Sequence, residues 1–207
     1  MAKLTAESAS RQTFIPLMQE LASSNAQITA SFSERSSGIE QARKRDALVK
    51  GQAEQLASDL KAIERKLDLL GMNLSVGQIL REQQLQLPNK RLSNKEIEAV
   101  GELVTRSSLH QIELEDERRQ LSSAREYVER LAQLQQPPVP ADVLDELYEL
   151  ALTRRDLVEQ AISLEGTYAA TLGSLDFSLR DYARVVSDYR QFISERLLWI
   201  PSRNPFS

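Results

Sequence analysis

The sequence predicts an all-α protein, an elongated antiparallel bundle of long coiled-coil-like helices with one short helix. Apolar residues recur in alternating three- and four-residue steps over most of the 207 residues, the spacing that keeps one stripe on one helical face against a partner helix. Gly and Pro number only seven each, too few for the many turns of a strand-rich fold. Charged residues make up 27% of the chain with both signs interspersed, as on the solvated faces of long helices. Regular Leu, Ile, Val and Phe spacing argues against disorder.

The first helix is expected over residues 8–70. Its stripe runs Phe14, Leu17, Leu21, Ser24 and Ile28, slips by one residue, and resumes at Phe32, Arg35, Ile39, Ala42, Asp46, Val49 and Ala53. Leu56, Leu60, Ile63, Leu67 and Leu70 complete it before Gly71-Met72-Asn73. Arg35 and Asp46 weaken the stripe, so packing is expected to loosen in this Ser/Arg-rich middle. At ~1.5 Å per residue the helix would extend on the order of 90 Å.

A short helix is expected over 75–86, opened by Ser75 and Gln78 as a capping box and stopped ahead of Pro88. Ser93 with Glu96 is a second capping box, opening a third helix over 94–135. That helix carries Val100, Leu103, Ser107, His110, Leu114, Glu117, Leu121, Ala124, Val128 and Leu131, and Pro137-Pro138-Val139-Pro140 ends it. The fourth spans 142–199 with Leu144, Leu147, Ala151, Arg154, Val158, Ala161, Glu165 and Tyr168 on its stripe. Leu172, Leu175, Leu179, Tyr182, Val186, Tyr189 and Ile193 continue the register past Gly166 and Gly173, where a bend has room to form. Short connections make neighbouring helices antiparallel, within a single extended domain over 1–207.

Several chemistries lack their residues. With no Cys and one His, disulfides, thiol chemistry and zinc sites are excluded, and so are bundle di-metal sites built on paired Glu-x-x-His motifs. No P-loop or Gly-x-Gly-x-x-Gly is present, so no nucleotide and no other cofactor is expected. His110 has Ser107, Ser108 and Glu113 nearby in sequence, but no Gly-x-Ser-x-Gly turn presents a nucleophile, and an interface or core histidine is expected in place of a catalytic one. Glu113-Leu114-Glu115-Asp116-Glu117, followed by Arg118 and Arg119, is expected to be a salt-bridged solvated face. A net charge of −4 without a basic block argues against nucleic acid as a partner. The opening residues carry no apolar secretion-type segment, and the run Leu197–Ile200 is too short to cross a bilayer.

Two stretches stand out. One is Leu74-Ser75-Val76-Gly77-Gln78-Ile79-Leu80-Arg81-Glu82-Gln83-Gln84-Leu85-Gln86-Leu87-Pro88, readable as a short amphipathic helix capping the bundle. The other is Tyr189-Arg190-Gln191-Phe192-Ile193-Ser194-Glu195-Arg196-Leu197-Leu198-Trp199-Ile200-Pro201-Ser202. It reads either as an ordinary helix terminus whose Trp packs on a neighbour or as a helix nearing a membrane interface, where Trp and Tyr are enriched. These stretches resemble the periplasmic helical domain of large bacterial mechanosensitive channels of the MscS superfamily, the MscK-like group. The first resembles that region's helix-to-Leu-Pro segment, through Gly77, Leu80, Arg81, Leu87 and Pro88. The second resembles its end, through Glu195, Arg196, Leu197, Leu198, Trp199, Ile200 and Pro201, just ahead of the family's membrane helices. The likeness extends over residues 15–202 in order and spacing.

The resemblance implies a periplasmic fragment of a larger inner-membrane protein, whose signal, membrane helices and pore lie outside these residues. Its partners would be the rest of the channel polypeptide and its membrane helices. Homo-oligomers would form through the pore module, and the cell wall or other periplasmic components would be candidate further partners. The family opens under membrane tension in osmotic-shock protection, and the working expectation for this region is a mechanical extension that links to the pore and modulates its gating. Two other readings fit the periodicity: a stand-alone coiled-coil scaffold or adaptor, and a helical-bundle ligand sensor in which Arg35, Asp46, Arg154 and Glu165 line a small cavity.

Overall fold

The computed structural model describes residues 2–71 and 73–200, with side chains from residue 11 onward except at 90–93. The architecture is all-α: α1 (Ala2–Leu70), α2 (Leu74–Gln86), α3 (Lys90–Gln120), α4 (Ala124–Gln133) and α5 (Ala141–Leu198). The chain divides into two compact units. The first gathers Met1–Glu40 with Thr105–Ala170, and the second gathers Gln41–Val104 with Thr171–Ser207.

α1 continues through Pro16, although a proline inside a helix removes one backbone hydrogen bond and costs about 3 kcal/mol. Phe14, buried beside it, packs with Leu147 and Ala151, and that burial offsets part of the cost. The helix stops at Gly71, the one described residue with positive φ (+68°), whose N–H donates to Leu67 O at 2.9 Å. α2 is capped by Asn73 and not by Ser75: the Val76 N–H donates to Asn73 Oδ1 at 2.9 Å, so the helix opens one residue earlier than expected.

The helix expected over 94–135 is two helices. α3 opens at Lys90, ahead of the expected cap at Ser93, whose side chain lies outside the described residues. It ends at Gln120, and α4 begins after a turn at Leu121–Ser122–Ser123. The physical reason is a competing N-cap: Ser123 accepts the Glu126 N–H at 3.3 Å, which satisfies a donor the new helix would otherwise leave open. Leu121, Ala124 and Val128 are buried all the same, so the apolar stripe survives the break. α5 runs unbroken through Gly166 and Gly173.

Two apolar clusters form the seam of the first unit. Phe14, Ala124, Val128, Val143, Leu147 and Ala151 make one, and Leu114, Leu121, Val158 and Ala161 make the other. Arg11 ties α1 to α5 at the rim, with Asp142 at 3.1 Å and with Glu146. In the second unit Val76, Leu80, Tyr189 and Ile193 form the buried centre, and Leu56, Leu60, Ile63 and Leu67 of α1 pack on it. Arg45 of α1 holds Glu96 of α3 through two parallel bonds, Nε to Oε1 at 2.6 Å and a terminal nitrogen to Oε2 at 2.7 Å. No described helix is long and apolar enough to cross a membrane.

Candidate functional site

The two motif stretches meet in the second unit. Gly77 and Leu80 of α2 are buried there, and Leu87, Leu197 and Ile200 pack on the same apolar cluster. Polar contacts reinforce the meeting. Tyr189 Oη donates to Gln83 Oε1 at 3.3 Å, and Arg190 donates to the Pro88 carbonyl at 2.9 Å. Burial, with the nearby charge of Asp59, pushes the Tyr189 phenol above its usual value, so it stays a neutral donor.

The remaining motif residues face outward. Arg81 is exposed, Glu195 accepts from Gln191 at 2.8 Å, and the Arg196 guanidinium lies 5.1 Å from the Phe192 ring centre. Pro201 lies outside the described residues. Trp199 is 78% exposed and Leu198 85% exposed, so the tryptophan does not pack on a neighbour as an ordinary terminus would have it. Ile200 takes that place. A Cβ built on Gly77 would stand 2.9 Å from Ile200 Cδ1. Large apolar side chains near the cluster's residues in sequence are exposed as well: Leu69, Leu70, Leu74, Ile79 and Leu85, with Leu198 and Trp199.

The first unit holds a polar node that sequence spacing only half revealed. Glu165 of α5, with 3% of its side chain exposed, accepts from Ser107 Oγ at 2.6 Å and pairs with Arg35 Nε at 2.8 Å. His110 Nδ1 lies 3.2 Å from its second oxygen. The Arg35 guanidinium also stacks over the Tyr168 ring at 4.4 Å, above a notch where Gly38 approaches the same ring. One carboxylate thereby ties α1, α3 and α5. Ser107 gives its hydrogen bond to Glu165 and not to His110, and it is itself buried, so this trio is not arranged as a serine–histidine relay.

Arg35, His110, Arg154 and Glu165 border a cavity of about 320 Å³. Arg154 is spent on Glu117, through bonds of 2.6 and 3.1 Å, and on the Ser24 carbonyl at 2.9 Å. Glu117 therefore leaves the acidic run that was expected to be a salt-bridged face. Its neighbours conform, with Arg118 3.4 Å from Glu115 and Arg119 paired with Asp116. Asp46 stands apart in the second unit, accepting from Lys50 at 2.8 Å, Ser174 at 2.9 Å and Ser178. Burial alone would raise its pKa, but these hydrogen bonds and the Lys50 charge outweigh it and hold the carboxyl below its ordinary value.

Asn25 was missed altogether. It is buried off the expected stripe, donates to Leu150 O at 3.1 Å, and leaves Oδ1 unpartnered among the described residues. The one-residue slip between Ile28 and Phe32 marks that region in the sequence, but nothing there singled out Asn25. No group of three or more potential metal-ligating side chains occurs among the described residues. No protein-family model matches the chain, and no curated protein matches it.

Proposed function

We propose that the chain is the periplasmic helical extension of a large MscS-type mechanosensitive channel, linked to the membrane part of that polypeptide through the Trp199 end. One observation carries the reading. The two stretches that bear the family resemblance, far apart in sequence, pack on one another around Leu80, Tyr189 and Ile193, and the large apolar side chains exposed around them include Leu198 and Trp199. An apolar, Trp-bearing end is what a junction with an interfacial or membrane-embedded neighbour requires. α5 enters that end as one helix of 58 residues.

The coding sequence around these residues tests the setting. A secretion signal upstream, with several hydrophobic spans and a pore-like module downstream, supports it. A native start at Met1 with a stop after Ser207 overturns it and leaves the scaffold reading. In the parental channel, deletion of residues 4–200 is expected to shift the gating tension and the survival of hypo-osmotic shock. Unchanged gating and survival would sink the modulatory role.

A ligand-sensing reading draws on one observation, that Arg35, Arg154 and Glu165 border a single cavity. A thermal-shift panel of small polar solutes tests it, because a ligand specific to the folded state raises its apparent stability.

A further inference from the structure

We infer that α2 is a strap fixing the direction in which the backbone leaves α5, with Gly77 as the seat for Ile200. Glycine is the poorest helix former after proline, yet it occupies position 77 inside α2. Its backbone does not demand glycine, since Gly71 is the described glycine with positive φ. What the position offers is space for the end of the Ile200 side chain. A Cβ at 77 would lie 2.9 Å from Ile200 Cδ1 and 3.4 Å from Cγ2, whereas one at Gly51, Gly101 or Gly173 would meet nothing within 4 Å.

Beyond Leu198 the backbone of the exit turn is held by local bonds, the Trp199 N–H to Arg196 O at 3.2 Å and the Ile200 N–H to Leu197 O at 3.4 Å. The Ile200 side chain ties the turn to the cluster around Leu80, Tyr189 and Ile193, and its seat on Gly77 leaves Leu198 and Trp199 outward. α2 is in turn anchored at both ends. Asn73 caps its start, Gln83 receives the Tyr189 hydroxyl, and the Pro88 carbonyl just past its end takes Arg190. The strap therefore holds α5 at residues 189, 190 and 200, and loosening α2 releases the turn. These contacts lie within one unit, so the inference stands whether or not the chain belongs to a channel.

Trp199 is the only tryptophan, so its fluorescence in the 207-residue chain reports on the turn without a label. Gly77→Leu and Ile200→Ala are each expected to lower Trp199 anisotropy and to raise amide exchange at 199 and 200 about tenfold. Gly51→Leu, at an open position, is expected to change neither. Were Gly77 merely tolerated in α2, replacing it with a better helix former would leave Trp199 unchanged. Because Ile200→Ala adds no atoms, it decides the matter even where Gly77→Leu unfolds α2. Unchanged anisotropy and exchange in Ile200→Ala would overturn the strap, as would the absence of a nuclear Overhauser contact between the Ile200 δ-methyl and the Gly77 α-protons.

Discussion

Glu165 shows how much one side chain can organise. A carboxylate with 3% exposure survives burial only because a hydroxyl and a guanidinium meet it, with an imidazole close by. Glu165→Ala removes the shared acceptor and strands Arg35 and Ser107, so a loss of about 2 kcal/mol is expected in urea unfolding of the first unit. The loss falls short of the 3–5 kcal/mol typical of breaking a fully buried pair, because Arg35 retains 32% exposure. His110→Ala is expected to cost less than half as much, since the imidazole side chain is 45% exposed.

The second unit carries a pH dependence of defined sign. Asp46 is held below its ordinary value against the opposing effect of burial, and Glu96 is lowered chiefly by its hydrogen bond from Arg45. A carboxyl depressed in the folded state contributes stability that is present above its unfolded value, at about pH 4, and is lost as pH falls through the folded value. Urea midpoints are therefore expected to drop as the pH falls below about 4, and Asp46→Asn to flatten that slope. An equal slope in the variant would assign the acid sensitivity elsewhere.

At the level of elements, the stripes were legible because their period is a local property. Every expected stripe position of α5 is buried or half-buried, and so is every one of α1 except Leu70, 62% exposed at the helix end. The weak stripe positions Arg35 and Asp46 each found a partner on α5. Helix ends were less legible. Ser75 matched the capping pattern while Asn73 caps α2, and α3 opens at Lys90, ahead of Ser93; Ser123 with Glu126 has the same spacing and does cap. Which of several similar caps is used depends on where the neighbouring helix leaves room to turn. Gly71 is a firmer signal, since its left-handed backbone disfavours any side chain. Gly71→Ala is expected to lower the thermal midpoint by the equivalent of about 1 kcal/mol, read by circular dichroism.

For the molecule as a whole, the proposed role asks α5 to act as one stiff element. Phe177 lies within it, 71% exposed, so replacing its side chain disturbs little packing. Phe177→Pro breaks one intrahelical bond and adds a kink worth about 3 kcal/mol, and Phe177→Ala does neither. In the channel that the proposed function supposes, the proline variant is expected to shift the gating tension while the alanine variant leaves it unchanged. Identical behaviour of the two would remove α5 continuity from the mechanism.

The sequence by itself determined the all-helical class, the positions of the long stripes, and the lack of residues for zinc or thiol chemistry, because periodicity and composition are local and need no partner to be read. Tertiary structure alone decided that Glu165 draws Arg35, Ser107 and His110 together, that Arg154 takes Glu117 from its acidic run, and that Ile200 in place of Trp199 packs against α2. Each of those depends on which helices become neighbours and at what stagger. Between residues as distant in sequence as 77 and 200, that is set by the close fit of side chains in the seam, a property no single stripe contains.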